Sequence, residues 1–299
     1  MTPVVFAFPG HAGLSRELQA ATGAMAGTLV LHRFPDGESY VRLDTPVAGR
    51  EAVFVCSLDD PDAKLLQLLF AVAAAKDLGA VRAGIVAPYL AYMRQDTRFK
   101  PGEAISSATV GKLVSGVADW LITVDPHLHR NASLDAVYAI PSRVVQAAPA
   151  ISAWIVANVA KPLLVGPDAE SGQWVAQVAS AVNAPCIVLD KTRHGDRDVT
   201  VSMPSAEQFR DRTPVLVDDI VSTAHTMIAA IARLREAGLA APVCIGVHAL
   251  FADDSYTELQ AAGAARIVTC NTVPHASNAI DVDAAISAAV RALLGTKQG

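Results

Sequence analysis

Two adjacent aspartates followed by a hydroxyl-rich turn form the segment with the clearest chemistry, VLVDDIVSTAHTM at residues 215–227. Its polar side chains are those of Asp218, Asp219, Ser222, Thr223 and Thr226. Hydroxyls, turn amides and a helix N-terminus favour a phosphate, whereas carboxylates would repel one unless they faced another part of the ligand. The pattern therefore predicts a sugar-phosphate site whose aspartates face sugar hydroxyls or a cation. The simpler alternative is that the aspartates only cap the turn.

A second group of charges, DKTRHGDR, follows the apolar run CIVLD. Lys191 and Arg193 alternate along the chain, so both side chains would share one face of an extended segment. Such a pair could clamp a developing phosphoryl charge when the segment closes over a site. The alternative is a solvated loop without function.

Two further segments carry groups suited to a nucleotide. The turn in FPDGE would bring the ring of Phe34 close to the acceptors of Asp36 and Glu38, which suits a stacked adenine. After the run AGIVAPYL, Arg94 could hold polyphosphate oxygens and Gln95 could contact a base edge. The alternatives are a plain turn with a buried Phe and a solvated loop.

His127 and Asp168 each follow an apolar strand, which predicts that they lie at the carboxyl edge of a parallel sheet. An imidazole nitrogen and a carboxylate oxygen would suit a cation such as Mg²⁺ that also keeps water and phosphate ligands. A purely structural histidine is the alternative.

Short β-branched runs alternate with longer Ala- and Leu-rich segments, which indicates βα units and mainly parallel sheets. The runs are VVFAF, AVFVCSL, AGIVAPYL, WLITVD, PLLVG, CIVLD, PVLVDDI, VCIGVHALF and RIVTCN. Helical spacing predicts one helix after Pro61 and a second after Thr226, each ending in a basic turn and a glycine before the next strand. This internal repeat predicts two similar domains, 1–145 and 146–299, with a new helix opening at Trp154.

Composition narrows the class of protein. The chain has 299 residues, 24 Lys and Arg against 29 Asp and Glu, and a net charge of −5. No basic field for nucleic acid is expected, and no apolar run is long enough to span a membrane. The four cysteines lie in apolar runs without metal or redox spacing, which predicts reduced core thiols in a cytoplasmic protein.

The quoted segments resemble motifs of the ribose-phosphate pyrophosphokinase family, also called phosphoribosyl pyrophosphate synthetases. Matching segments follow in the family's order: RFPDGESYVRL, PYLAYMRQDTRFKPGEAIS, DPH, GPDAESG, DKTRHGDRDV and VLVDDIVSTAHTM. A type I phosphoribosyltransferase needs only one domain with the last of these. The resemblance implies two tandem type I phosphoribosyltransferase-like α/β domains, each a mostly parallel sheet flanked by helices.

The resemblance also implies a reaction, diphosphoryl transfer from ATP to ribose 5-phosphate with Mg²⁺. The residues implied for ATP are Phe34, Asp36, Glu38, Arg94, Gln95, Asp96 and His127. Those implied for ribose 5-phosphate are Asp168, Asp218, Asp219, Ser222, Thr223, Ala224, His225 and Thr226. His127 and Asp168 would also hold metal, and Lys191 and Arg193 would be catalytic. The FPDGE loop would reach a neighbouring subunit, so at least a homodimer is expected.

One departure from the family concerns the phosphate turn, where Ala224 and His225 stand in place of a pair that contains glycine. A residue with a Cβ at positive φ costs about 1 kcal/mol or more, whereas a protonated His225 would add a donor to the phosphate. Two alternatives to the synthetase remain: a non-catalytic regulatory paralogue and a phosphoribosyltransferase. The Lys191 and Arg193 pair argues against the first, and the FPDGE and RQD loops argue against the second.

Overall fold

The computed structural model describes residues 2–128, 130–168, 171–189, 193–194, 198–199 and 206–294. The strands are β1 (Val4–Ala7), β2 (Met25–Gly27), β3 (Leu29–Arg33), β4 (Ser39–Leu43), β5 (Glu51–Val55), β6 (Arg82–Ala87), β7 (Trp120–Val124), β8 (Ser142–Val145), β9 (Pro162–Gly166), β10 (Cys186–Val188), β11 (Arg193–His194), β12 (Asp198–Val199), β13 (Thr213–Val221), β14 (Val243–Ala249), β15 (Arg266–Cys270) and β16 (Asn278–Ile280). The helices are α1 (Ala12–Thr22), α2 (Pro61–Asp77), α3 (Ser106–Val117), α4 (Ala148–Asn158), α5 (Gly172–Ala181), α6 (His225–Glu236), α7 (Ser255–Ala261) and α8 (Asp283–Leu294).

Two six-stranded sheets organise the chain, in the orders β2-β1-β5-β6-β7-β8 and β10-β9-β13-β14-β15-β16. All neighbouring strands within each sheet are parallel. Two antiparallel hairpins, β3-β4 and β11-β12, lie outside these sheets. The expected α/β class with parallel sheets flanked by helices is confirmed.

The helices follow the predicted spacing. In α2 the side chains of Leu65, Leu68 and Val72 are buried, and in α6 those of Met227, Ile231 and Leu234 are buried. Each stripe recurs every three or four residues, so one face of the helix covers the sheet. Gly79 and Gly238 follow the two helices with φ of +88° and +71°, a conformation that glycine adopts without a Cβ penalty.

The described chain divides into two compact units. The first comprises residues up to Val145 together with α8, and the second runs from Gln146 to Val282. Within the first unit α8 packs against α1, β7 and β8. Each unit therefore has one parallel sheet and its own helices.

Both sheets have a topological switch point, where the chain changes its direction of travel across the sheet. In the first unit β1 lies between β2 and β5, and in the second unit β9 lies between β10 and β13. The strands on either side of the switch point are β1 and β5 in the first sheet and β9 and β13 in the second. The loops at the carboxyl ends of these two strands diverge and leave a crevice, which is where open α/β sheets bind ligands. The fold therefore provides one crevice in each unit.

Two expectations need correction. The helix expected to open at Trp154 begins at Ala148, because Pro149 occupies its first turn, where the missing N–H costs no hydrogen bond. Cys186 is exposed at the start of the edge strand β10, whereas the other three cysteines are buried. Among the described helices, none is both long and apolar enough to cross a membrane.

Candidate active site

The acidic pair lies in the last part of β13, beside the crevice of the second unit. The Asp219 amide donates to the Asp218 carboxylate at 3.0 Å, and the Ile220 amide donates to the Asp219 carboxylate at 2.8 Å. Both carboxylates are therefore oriented by the amide of the next residue. β13 pairs with β9 on one side and with β14 on the other, so the pair sits near the middle of the sheet.

Asp168 joins the acidic pair from the neighbouring strand. It follows β9, and the Ser171 amide donates to its carboxylate at 3.1 Å while the Ser171 hydroxyl donates to its carbonyl at 2.7 Å. Burial raises the pKa of the Asp218 carboxyl well above its usual value, and the charges of Asp219 and Asp168 raise it further. The structure thus brings Asp168, Asp218 and Asp219 together, and their mutual repulsion favours a cation or a hydroxyl-bearing ligand beside them.

The hydroxyl-rich turn connects β13 to α6. Ser222 is half-buried, Thr223 is exposed, and Ala224 is buried with a φ of +56°, immediately before α6 begins at His225. Ala224 is part of the hydrophobic core of this unit. The turn therefore adopts the left-handed conformation with a Cβ present, and the methyl group packs inward rather than toward the crevice.

A contact that sequence reasoning missed fixes this turn. The Ser222 carbonyl accepts two hydrogen bonds, from the Ser255 hydroxyl at 2.7 Å and from the Ala252 amide at 3.2 Å. Ser255 is buried at the first position of α7, on a different element from the turn. Nothing in the local sequence signals this role, because it depends on how the loop after β14 folds back over the loop after β13.

Replacing Ser255 with alanine should loosen the phosphate turn without removing a ligand-binding group. A hydrogen bond of this kind contributes about 0.5–1.5 kcal/mol. If the turn holds the phosphate of ribose 5-phosphate, as the family resemblance implies, the KM for that sugar phosphate should rise about 2–10-fold with a smaller change in kcat. Ser255→Thr, which keeps the hydroxyl, should retain the native KM. Ser142→Ala is a matched control, since the Ser142 hydroxyl donates at 3.0 Å to a carbonyl of the first unit. An equal KM change in both alanine variants would contradict a role for Ser255.

In the first unit, the segment after β6 is held by side-chain contacts. The Ser106 hydroxyl donates to the Gln95 amide oxygen at 2.8 Å, and the guanidinium of the exposed Arg94 lies at the surface. Unlike the exposed Arg94, Asp96 has a side chain that is only 1% exposed, and it pairs with Arg130 at 3.1 Å. Its second oxygen is buried and has no hydrogen-bond partner within the described ranges.

Arg130 is a second residue that the sequence did not single out. Its guanidinium pairs with Asp96 and also lies 5.2 Å from the centre of the Phe99 ring. Arg130 thereby connects the segment after β6 to the loop after β7, which carries the half-buried His127. Asp125, two residues before His127, has a φ of +31°, so this loop is conformationally constrained where it leaves the sheet.

The FPDGE segment forms the turn between β3 and β4. The Phe34 amide donates to the Glu38 carbonyl at 2.8 Å, the Glu38 amide donates to the Asp36 carboxylate at 3.2 Å, and Gly37 has a φ of +94°. Phe34 is 44% exposed, so the buried Phe of the alternative interpretation is not found. His32 and Tyr40 meet the Phe34 ring edge-on and leave much of it available for a partner.

The proposed catalytic pair lies largely beyond the described part of the chain. Lys191 falls outside the described residues, and of Arg193 only the backbone is described, in β11 opposite Val199 of β12. His127 belongs to the first unit and Asp168 to the second. The roles of these four residues therefore remain predictions from the sequence.

Mg²⁺ prefers oxygen ligands, and the described residues supply carboxylates beside the crevice of the second unit. They contain no group of three or more His, Cys, Asp or Glu side chains arranged to hold a metal ion. Mg²⁺ commonly takes one or two carboxylates and completes its shell with water and substrate phosphates. The crowded carboxylates of Asp168, Asp218 and Asp219 are hard oxygen donors whose repulsion a cation would relieve.

Comparisons with known proteins identify the family. Residues 3–117 match a model of the N-terminal domain of ribose phosphate pyrophosphokinase, and residues 133–285 match a phosphoribosyl transferase domain model. A ribose-phosphate pyrophosphokinase of Methanopyrus kandleri is 32% identical over 98% of this chain and 100% of its own length. One of Halobacterium salinarum is 34% identical over 93% of this chain and 96% of its own length.

A solved structure agrees with these sequence relatives at the level of the fold. Phosphoribosylpyrophosphate synthetase from Mycobacterium smegmatis superposes with a TM-score of 0.86 at 23% identity, covering 98% of this chain and 99% of that one. The two family models and the full-length relatives agree on the family, and the solved structure has the same fold. The chain belongs to the ribose-phosphate pyrophosphokinase family.

Proposed function

We propose that this protein is a ribose-phosphate diphosphokinase, which transfers the β,γ-diphosphoryl group of ATP to the anomeric hydroxyl of ribose 5-phosphate. The products are phosphoribosyl pyrophosphate and AMP. The observation that carries this proposal is the acidic cluster of Asp168, Asp218 and Asp219 next to a hydroxyl-rich turn at the switch point of the second unit. Membership of the family supports it.

Ribose 5-phosphate binds with its phosphate in the turn and its ring over the acidic cluster. Turn amides, hydroxyls and the N-terminal end of α6 hold the phosphate dianion. Asp168, Asp218 and Asp219 accept hydrogen bonds from the ribose hydroxyls. The residues that contact the phosphate are Ser222, Thr223, Ala224, His225 and Thr226.

ATP binds through the first unit. The exposed Phe34 ring stacks on adenine, Asp36 and Glu38 accept protons from its amino group, and Gln95 contacts a base edge. Arg94 and His127 hold polyphosphate oxygens, and Asp96 fixes the segment through Arg130. As the family resemblance implies, the FPDGE turn serves a neighbouring subunit, so the active protein is at least a homodimer.

Catalysis depends on positioning and charge neutralisation. The anomeric oxygen forms a bond to the β-phosphorus, the bond from that phosphorus to the oxygen bridging to the α-phosphorus breaks, and AMP leaves with the bridging oxygen. The proton of the anomeric hydroxyl is released. Lys191 and Arg193 stabilise the charge that develops on the transferred group, and no covalent enzyme intermediate is needed.

Mg²⁺ is the proposed cofactor, and the family resemblance implies His127 and Asp168 as the residues that would hold it. When bound, it neutralises polyphosphate charge. We also infer that the protein acts in the cytoplasm, because all four cysteines are free thiols, as is usual in a reducing compartment.

A single assay tests the proposed reaction. The protein is incubated with ATP, Mg²⁺ and ribose 5-phosphate, and the nucleotides and sugar phosphates are separated by chromatography. We expect AMP and phosphoribosyl pyrophosphate in equal amounts, and neither product without ribose 5-phosphate. Absence of AMP would favour the regulatory paralogue. Consumption of phosphoribosyl pyrophosphate with a free base would favour the phosphoribosyltransferase.

A further inference from the structure

The first unit contains a cleft that the proposed reaction does not use. Its volume is about 320 Å³, and its walls include Phe8 and His11 from the loop after β1, Leu31 from β3, and Lys64 from α2. This volume lies at the lower end of the range for small-ligand sites, about 300–1,000 Å³. The cleft is therefore large enough for a compact metabolite.

The position of this cleft in the fold corresponds to that of the ribose-phosphate crevice. The loops after β1 and β5 form it, and these two strands flank the switch point of the first sheet. In the second sheet the equivalent strands are β9, which is followed by Asp168, and β13, which contains the acidic pair. Internal repetition thus places a second cleft at the same ligand-binding location of the other unit.

The chemistry of the two sites differs. The charged side chains that line the cleft are Arg33 and Lys64, with no carboxylate among the lining residues. Lys64 pairs with Asp59 at 2.7 Å, but an ammonium has three donors and can also serve an anion. Phe8 and Leu31 provide apolar walls. Cationic groups beside apolar walls select an anion that carries a ring or another apolar body.

Two residues that line the cleft, His11 and Ser57, are hydrogen-bonded to each other, which leaves the binding of an anion to side chains. The Ser57 amide, at the end of β5, donates to the Nε2 atom of the buried His11 at 3.0 Å. The neutral ring therefore carries its proton on Nδ1, and burial lowers the pKa of His11 to about 4. Because the Ser57 amide already donates to His11, it is not available to a phosphate. In the second unit, by contrast, the turn amides are proposed to hold the phosphate.

We propose that this cleft binds a phosphomonoester of a ring compound, of the sugar phosphate or nucleoside monophosphate class. Lys64 and Arg33 hold the phosphate, and the ring packs against Phe8 and Leu31. The cleft contains none of the proposed catalytic residues, and Arg33 also donates from Nε to the Gly37 carbonyl of the neighbouring FPDGE turn at 3.1 Å. The binding proposed here does not depend on the reaction assigned to the catalytic residues.

Hydrogen–deuterium exchange of the full-length protein can locate such binding. The informative peptides cover residues 8–11 and 56–60, which contain none of the proposed catalytic residues. The probes are AMP, ribose 5-phosphate, inorganic phosphate and adenosine, each at the same millimolar concentration. We expect AMP or ribose 5-phosphate to slow exchange in these peptides, inorganic phosphate to act more weakly, and adenosine to have no effect. Whichever of AMP and ribose 5-phosphate gives the stronger protection identifies the ligand class, nucleoside monophosphate or sugar phosphate.

Two lysines on α2 provide a matched pair of variants. Lys64 and Lys76 each pair with an aspartate, at 2.7 and 2.8 Å, and their side chains are 33% and 37% exposed. Lys64→Met should raise the ligand concentration for half-maximal protection by about 10-fold or more, the loss expected for a charge-assisted hydrogen bond. Lys76→Met should leave it unchanged. If the slower exchange were instead caused by ligand bound at the active site, Lys64→Met and Lys76→Met would show the same protection.

A second variant keeps the test decisive if Lys64→Met is poorly folded. Leu31→Trp fills the cleft from the β3 side, retains Lys64, and should abolish protection. The proposal would be overturned by absence of protection with both ring phosphates, by equal protection with adenosine or inorganic phosphate, or by equal behaviour of Lys64→Met and Lys76→Met. Because none of these readouts measures AMP release, failure here is distinct from failure of the proposed reaction.

Discussion

Replacing Asp218 with asparagine is expected to stabilise the protein while reducing its activity. The Asp218 carboxylate is buried, and its pKa is raised by burial and by the charges of Asp219 and Asp168, so its ionised form costs free energy in the folded protein. Removing this poorly compensated buried charge should therefore raise the free energy of unfolding. The same change weakens a contact to the ribose hydroxyls, which should lower kcat/KM about 10–100-fold.

The stabilisation should depend on pH in a defined direction. A carboxyl whose pKa is higher in the folded state than in the unfolded state binds more protons when folded, so its contribution to stability falls as pH rises through that interval. The melting temperatures of Asp218→Asn and the native protein, without divalent cation, should therefore differ more at about pH 8 than at about pH 5. Asp211→Asn is the control, because Asp211 is exposed and paired with Lys161. A less stable Asp218→Asn protein at the higher pH would contradict the account.

Replacing Lys191 with alanine should have the largest effect on turnover. A group that stabilises charge mainly in the transition state contributes about 10²–10³ in rate, so kcat and kcat/KM should fall together by that factor. The melting temperature should remain close to that of the native protein. Steady-state kinetics and thermal unfolding of the same preparation measure both quantities.

Lys161→Ala serves as the control for Lys191→Ala, because it removes an exposed lysine that pairs with Asp211. It should change neither turnover nor melting temperature appreciably. If Lys191→Ala lost stability and turnover in the same proportion, a structural role would replace the catalytic one. Unchanged turnover would remove Lys191 from the mechanism.

The sequence predicts the fold because its signals are local and repeated. Each of the nine apolar runs overlaps a strand of one of the two parallel sheets, and the helical stripes of Leu65 and Met227 are buried. The sequence predicts a helix start at Trp154, whereas α4 begins at Ala148, because proline is favoured in the first turn of a helix. The exposure of Cys186 depends on its place at a sheet edge, which an apolar run does not reveal.

The site could be predicted less completely, because its geometry depends on strand order. The sequence identifies Asp168 and Asp218 separately, but their proximity follows from the pairing of β9 with β13. The positive φ of Ala224 agrees with the conformation expected of the phosphate turn. The roles of Ser255 and Arg130 come from contacts between distant loops and have no local signal.

The central claim is that the diphosphoryl group of ATP moves intact to the sugar, and an isotope label tests it most directly. ATP labelled at the β-phosphorus is mixed with ribose 5-phosphate, Mg²⁺ and an excess of protein, and the labelled products of a single turnover are separated. The account predicts that the label appears in phosphoribosyl pyrophosphate and that AMP is unlabelled. Label recovered in ADP or in free pyrophosphate would contradict it.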